Sequence, residues 1–256
     1  MASATGIPQT NPSSMDRIGE DEPLLGRAGD ASQQQGKPLP WNLVLGTGTV
    51  AQAGIWIRGE PSPRLTRLKL TAIVWSAIFS HDLILFSAHP LLNSAGILLL
   101  TQGILILQPT HTAQQKRHGT YVHFGFNQLG VIALIAGLIV IEINKARGGL
   151  DHFESTHAVL GIITYVLIII QAIVGFTQYF TPGLWGSVDS AKKIYKYHRM
   201  SGYLVLVLAL ATVAAATQTG YNLFVLHIQL WAVLVAAILT LIGVFPRIKK
   251  QKLGLS

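Results

Sequence analysis

Four of the chain's nine histidines stand singly near the start of consecutive apolar runs: His89, His123, His157 and His198. An ionisable side chain inside hydrocarbon is costly and usually functional, and a neutral imidazole is a ready metal ligand. Alternate runs cross a bilayer in opposite directions, so His89 and His157 share one depth and His123 and His198 the other. Two histidine pairs, one near each face, fit a bundle that binds two haems, each held by imidazoles from facing helices. Gly161 and Gly202 follow His157 and His198 by four residues, on the same helical face, where a missing side chain lets a flat porphyrin approach the backbone. Small residues at that spacing also serve plain helix packing. Pro90, directly after His89, is tolerated in the first turn of a helix.

The elements that must position these rings follow from composition. Half of the 256 residues are apolar and 12% are charged, the profile of an integral membrane protein. After residue 70 come runs near the ~20 residues that a helix needs to cross ~30 Å of hydrocarbon, too long for barrel strands. The expected fold is all-α, with six transmembrane helices over 70–85, 88–108, 121–143, 157–176, 198–217 and 222–245, and spans two to five forming a central four-helix bundle around the cofactors. Residues 1–40, rich in Ser, Gly, Pro and charge, read as a disordered tail without a basic-then-apolar leader. Residues 41–69 hold a marginal apolar segment and a basic linker, "RGEPSPRLTRLK", that interrupts what would otherwise be one better helix, as a retained intron would. A membrane domain over 70–246 and a basic tail over 247–256 complete the chain.

Lys and Arg beside spans favour the cytoplasm. Arg58, Arg64, Arg67 and Lys69 precede the first span, Lys116 and Arg117 follow the second, Lys192, Lys193, Lys196 and Arg199 surround the start of the fifth, and Arg247, Lys249, Lys250 and Lys252 follow the sixth. The opposite loops carry a balanced Lys145, Arg147, Asp151 and Glu154, or no charge at all in "TQTGYN". Both termini are therefore expected in the cytoplasm. "EDEPLL" in the tail resembles an acidic dileucine signal for vacuolar, lysosomal or other endomembrane delivery. The net charge of +8 sits in these clusters, where topology accounts for it better than nucleic acid does. With no cysteine, disulfides, thiolate metal sites and a Cys nucleophile are all excluded.

"LFSAHPLL", "YVHFGFNQLG", "HFESTHAVLG" and "KIYKYHRMSGYL" resemble the four histidine-bearing helices of the cytochrome b-561 family, in the family's order and spacing over roughly residues 70–250. The chain is most similar to the short stand-alone members, although "STHAVLG" lacks the aromatic that the family often carries two residues after the histidine. The resemblance implies a six-helix di-haem b-type cytochrome with ascorbate as donor, and monodehydroascorbate or a ferric chelate as acceptor. It assigns His89 and His157 to the non-cytoplasmic haem iron and His123 and His198 to the cytoplasmic one, the pairs that the charge argument reaches independently.

With each ligand one to two turns inside its face, the irons would stand roughly 15–20 Å apart along the normal. Ascorbate, a monoanion, would be drawn to the rim of Lys116, Arg117, Lys193 and Lys196, and Arg199 beside a ligand would suit a haem propionate. His152, five residues before His157, would meet the acceptor. His111 and His118 fall in the basic loop, His81 and His227 near the outer ends of spans one and six, and Asn93 and Gln128 offer polar partners near the haems. A homodimer in the bilayer is one assembly to test. The competing readings are a histidine-lined metal-ion transporter without haem and a scaffold whose histidines merely pack. The transporter would want acidic groups within the spans, and spans two to five hold only Glu142, at an edge.

Overall fold

Three short polar residues punctuate the apolar runs and start the long helices. Thr112, Ser155 and Ser187 sit in extended backbone, and each side-chain oxygen accepts the free N–H three residues on, from Gln115 at 3.2 Å, Ala158 at 3.1 Å and Ser190 at 3.1 Å. The computed structural model describes residues 70–110 and 112–248, and over them it has six α-helices: α1 (Leu70–Phe79), α2 (Ala88–Leu107), α3 (Ala113–Gly148), α4 (Thr156–Phe180), α5 (Val188–Ala216) and α6 (Leu230–Val244). α2, α3, α4 and α5 are long and apolar enough to cross a membrane. The tail with its dileucine-like stretch, the 41–69 segment with Arg58, Arg64, Arg67 and Lys69, His111, and Lys249, Lys250 and Lys252 lie outside the described residues.

The helices run past the apolar spans. α3 has 36 residues, about 54 Å at 1.5 Å each, so His118, Lys116 and Arg117 stand on its first turns and not in a loop. Lys192, Lys193 and Lys196 are likewise on α5, where Asp189 in the first turn complements the positive helix end and lies 3.8 Å from Lys192. α3 ends where Gly149 turns left-handed (φ 59°), and Leu150 N–H returns to the Lys145 carbonyl.

The outer elements are shorter than their runs. α1 stops at Phe79, where the Ser80 hydroxyl takes the Ser76 carbonyl and His81 Nδ1 that of Ala77. α6 begins only at Leu230. Before it, Asn222–Leu226 forms one π turn, His227 adopts φ 52°, and the buried Asn222 amide donates to the Thr217 and Ile228 carbonyls while accepting from Ile228 N–H. An asparagine able to satisfy three main-chain groups stabilises a break that hydropathy does not reveal.

α2 packs most closely on α3, and α4 on α5. The core joins Ile97 and Leu105 of α2, Leu134 of α3, Tyr165 and Ile168 of α4, and Leu206 and Leu210 of α5, with Val233 and Ala236 of α6. Leu129, Ile132 and Leu204 point outward, as lipid-facing residues do. The fully buried Thr101 and Thr240 return their hydroxyls to the carbonyls four residues back, which leaves neither hydroxyl unmet. Gln108 at the end of α2 donates to Tyr203 Oη of α5 and to the Val244 carbonyl, tying three helices together.

At Gly96 and Gly130 the backbones of α2 and α3 come close together. A Cβ on Gly96 would stand 2.6 Å from Leu134 Cγ and 3.0 Å from the Gly130 carbonyl, and one on Gly130 would stand 3.1 Å from the Gly96 carbonyl. Gly96→Val is expected to destabilise the purified protein by about 1–3 kcal/mol through overpacking. Thermal unfolding in detergent measures this, with Gly125→Ala as the comparison, since a Cβ at Gly125 meets nothing within 4 Å and should cause no loss.

Candidate metal-ligating histidines of the bundle

α2 and α3 carry the same pattern in opposite directions. "HPLLNSAGILLLTQG" and "HFGFNQLGVIALIAG" both place Asn four, Gly seven and Gly fourteen residues after His. His89 Nδ1 meets the Gly137 carbonyl of α3 at 2.9 Å, and His123 Nδ1 meets the Gly103 carbonyl of α2, also at 2.9 Å. A carbonyl can only accept, so each ring carries its proton on Nδ1 and leaves the Nε2 lone pair for a ligand. The asparagine amides close the motif: Asn93 Nδ2 donates to the His89 carbonyl at 2.7 Å, and Asn127 Nδ2 to that of His123 at 2.6 Å. A Cβ at Gly137 or Gly103 would lie 2.5 Å from Asn93 Nδ2 or Asn127 Nδ2. Glycine is what lets helix and asparagine share that space.

α4 and α5 bring the second member of each pair. His157 Nδ1 bonds the Thr212 carbonyl of α5 at 3.0 Å, and the Thr212 hydroxyl meets that of Thr164, two turns beyond His157 on α4, at 3.0 Å. The rings of His89 and His157 face each other across the bundle, with centres 6.2 Å apart and planes at 86°. Phe86 stacks on His89 at 5.8 Å and in turn meets Tyr221 at 4.5 Å, closing that level with aromatic surface. His198 lies near His123 at the opposite level. Its ring lies against Gly175 of α4, where a Cβ would come within 3.0 Å of Cε1. Gly137 is fourteen residues beyond His123 along α3, which sets the two histidine levels about 21 Å apart.

Space exists beside the rings. A Cβ at Gly161 would meet nothing nearer than Thr212 Cγ2 at 3.9 Å, and one at Gly202 nothing nearer than Gln171 Oε1 at 3.9 Å. Arg199 is half-buried next to His198. Arg117 and Lys193 are exposed at the His123 end, Lys116 is half-buried there, and Lys196 Nζ sits 4.9 Å from the Tyr197 ring centre. His152 is at the other end, exposed, with Nδ1 3.4 Å from Glu142 Oε2. Among the described residues no three His, Cys, Asp or Glu side chains gather as a metal cluster. Each level offers two imidazoles.

Asn93 is a partner of His89, but on α3 the matching residue is Asn127, one position before Gln128, which is half-buried and not part of the motif. Sequence reading missed Asn127, Gly103 and Gly137, although the repeated His–Asn–Gly–Gly spacing was there to find. It also missed Tyr165, whose hydroxyl donates to Asn93 Oδ1 across 72 residues of sequence and locks the amide orientation. No local pattern announces that contact.

Comparison with known proteins adds an independent finding. Residues 88–225, from the start of α2 to the turn after α5, match the family model described as eukaryotic cytochrome b561. The "Ascorbate-specific transmembrane electron transporter 2" of Zea mays is 26% identical over 147 residues, 54% of this chain and 61% of that protein. The human "Transmembrane ascorbate-dependent reductase CYB561" is 25% identical over 174 residues, 68% of this chain and 63% of that protein, and its Bos taurus counterpart is 28% identical over 182 residues, with the same shares. The chain thus spans about three-fifths of the length of these relatives.

Tyr165→Phe removes the donor from Asn93 Oδ1 in a buried place. The expected cost is about 1–3 kcal/mol of stability, read by thermal unfolding in detergent, whereas Tyr197→Phe, at an exposed ring, should leave unfolding unchanged.

Proposed function

The chain belongs to the eukaryotic cytochrome b561 family, whose model covers more than half of it, and on that premise we propose that it carries electrons across a membrane through two b-type haems, from ascorbate on the His123–His198 side to monodehydroascorbate or a ferric chelate on the His89–His157 side. The observation that carries this reading is the 6.2 Å between the His89 and His157 ring centres. Metal–imidazole bonds of about 2 Å on each side, plus the ring radii, put two such centres about 6 Å apart. The donor set suits a low-spin iron: two imidazoles per level, the Nδ1 protons of His89, His123 and His157 turned away into carbonyls, and open space at Gly161 and Gly202. His89 and His157 would hold one haem, His123 and His198 the other. When bound, each haem would supply a one-electron iron couple, and two histidine ligands per haem would favour electron transfer over oxygen binding.

The chain's own groups do the rest. Carbonyl acceptors at Nδ1 of His89, His123 and His157 fix the tautomer and ring direction and make those imidazoles better ligands. The apolar walls exclude water between the two levels, and their separation of about 21 Å accounts for most of the hydrocarbon thickness. Arg199 is placed to meet a propionate. Lys116, Arg117, Lys193 and Lys196 form the positive rim that collects an anionic donor, and His152 with Glu142 marks the opposite rim, where an acceptor docks. The basic side is assigned to the cytoplasm by the positive-inside rule, with both termini there, and the dileucine-like "EDEPLL" favours an endomembrane address.

Protein purified in detergent should contain two haems per chain, both reduced by ascorbate in the visible spectrum. His157→Ala or His123→Ala should lower the count to one. Absence of haem from protein made in haem-replete cells would overturn the reading. Reversing the rim with Lys193→Glu plus Lys196→Glu should raise the ascorbate KM by about tenfold at low salt while leaving kcat within about twofold. That difference should shrink as ionic strength rises.

A further inference from the structure

The histidine acceptors follow a rule of register. Gly103 lies fourteen residues beyond His89, Gly137 fourteen beyond His123 and Thr212 fourteen beyond His198, and each supplies the carbonyl for a histidine on the helix it faces. Continuing the series on α4, fourteen residues beyond His157 stands Gln171. The histidine it faces is His198, whose Nδ1 is buried with no hydrogen-bond partner. Gln171 Oε1 is likewise buried with none. A buried donor and a buried acceptor, both unmet, are each costly where no water reaches.

The two orphans share one place. Gly175, one turn along α4 from Gln171, lies under the His198 ring, with its built Cβ 3.8 Å from Nδ1. Gly202, one turn along α5 from His198, faces Gln171 Oε1 at 3.9 Å. The amide orientation is set from the other side. Gln171 Nε2 donates to Ser201 Oγ, whose own proton goes to the Tyr197 carbonyl at 2.7 Å. Oε1 is therefore the free acceptor, turned toward α5.

We propose that Gln171 is the positioning residue of the fourth histidine, its side-chain Oε1 accepting the Nδ1 proton of His198 when Nε2 serves as a ligand. The inference rests on the di-haem reading above and deepens it. Three of the rings lean on main-chain carbonyls, which no substitution removes. The fourth leans on a side chain, anchored through Ser201, so the ligand strength of His198 is set by a replaceable group. A stronger acceptor makes the imidazole more anionic and favours ferric iron, and loss of the acceptor does the reverse.

The test is a redox titration of purified, haem-loaded wild type, Gln171→Leu and Gln171→Glu, with the low-spin EPR signal of each haem recorded. The expected result is two haems per chain with one midpoint displaced, upward in Gln171→Leu and downward in Gln171→Glu. One EPR signal should move and the other should hold. Loss of one haem in Gln171→Leu with two retained in Gln171→Glu also supports the proposal. Both midpoints unchanged in Gln171→Leu would overturn it, even with a downward shift in Gln171→Glu, since that shift alone is a charge effect. If Gln171→Leu does not fold, Ser201→Ala, which frees the amide, should displace the same single midpoint upward, and no displacement there overturns the proposal. Haem-free wild type would overturn the functional reading itself, and this inference with it.

Discussion

An imidazole placed among lipid-facing helices has one N–H that must be given to something. For three of the four bundle histidines the acceptor is the main-chain carbonyl of the facing helix, whose second lone pair remains open after its own helical bond is made. That single bond sets three things together: which ring nitrogen keeps a lone pair, how the ring is turned, and how far one helix slides along the next. Sliding α2 along α3 by one residue would move the His89 acceptor away from Gly137 and, by the opposite sense of the helices, the His123 acceptor away from Gly103. The two levels are coupled through one register.

The two helix pairs meet the demand differently. α2 and α3 approach through Gly96 and Gly130 at mid-span, and each accepting residue is itself a glycine pressed against an asparagine. At the same counts α4 and α5 carry Gly161 and Gly202 in place of asparagine and Gln171 and Thr212 in place of glycine, with Thr212 bonded to Thr164 and Gln171 to Ser201. The glycine pair is a backbone contact that permits little adjustment. The α4–α5 pair is held by side chains, and the open volume beside Gly161 and Gly202 lies on those same helices. A bundle that must admit a bulky planar group is better served when one wall is rigid and the other is side-chain-built.

The level of each histidine within the bundle was legible because helix direction follows from chain order and histidine position from its count along each run. Neither depends on packing. Helix starts at Thr112, Ser155 and Ser187 were marked by capping residues, yet the apolar pattern placed the start of α3 at Tyr121 and that of α5 at His198, because hydropathy reports the bilayer's thickness and not the end of hydrogen bonding. The shortening of α6 was hidden for the opposite reason. Residues 222–229 are apolar enough to continue a span, and the three bonds of the Asn222 side chain help to stabilise the break. Tyr165 on Asn93 was beyond reach, since its partner is named by tertiary packing alone.

A support that is a main-chain carbonyl leaves almost no mark in a sequence, because every residue has one. What remains visible is the exclusion around it: a glycine where the neighbouring helix needs room, as at Gly103 and Gly137, and a fixed count from the histidine. Thr212 shows that even the glycine is dispensable when the ring approaches from a side with space, for only the count of fourteen survives there. Register is thus the more durable signature of this kind of site, and residue identity the weaker one. The same logic explains why Gln171 draws attention although it resembles none of the other three acceptors: it occupies the right number, and its carbonyl oxygen sits unpaired against the helix that carries the unpaired ring.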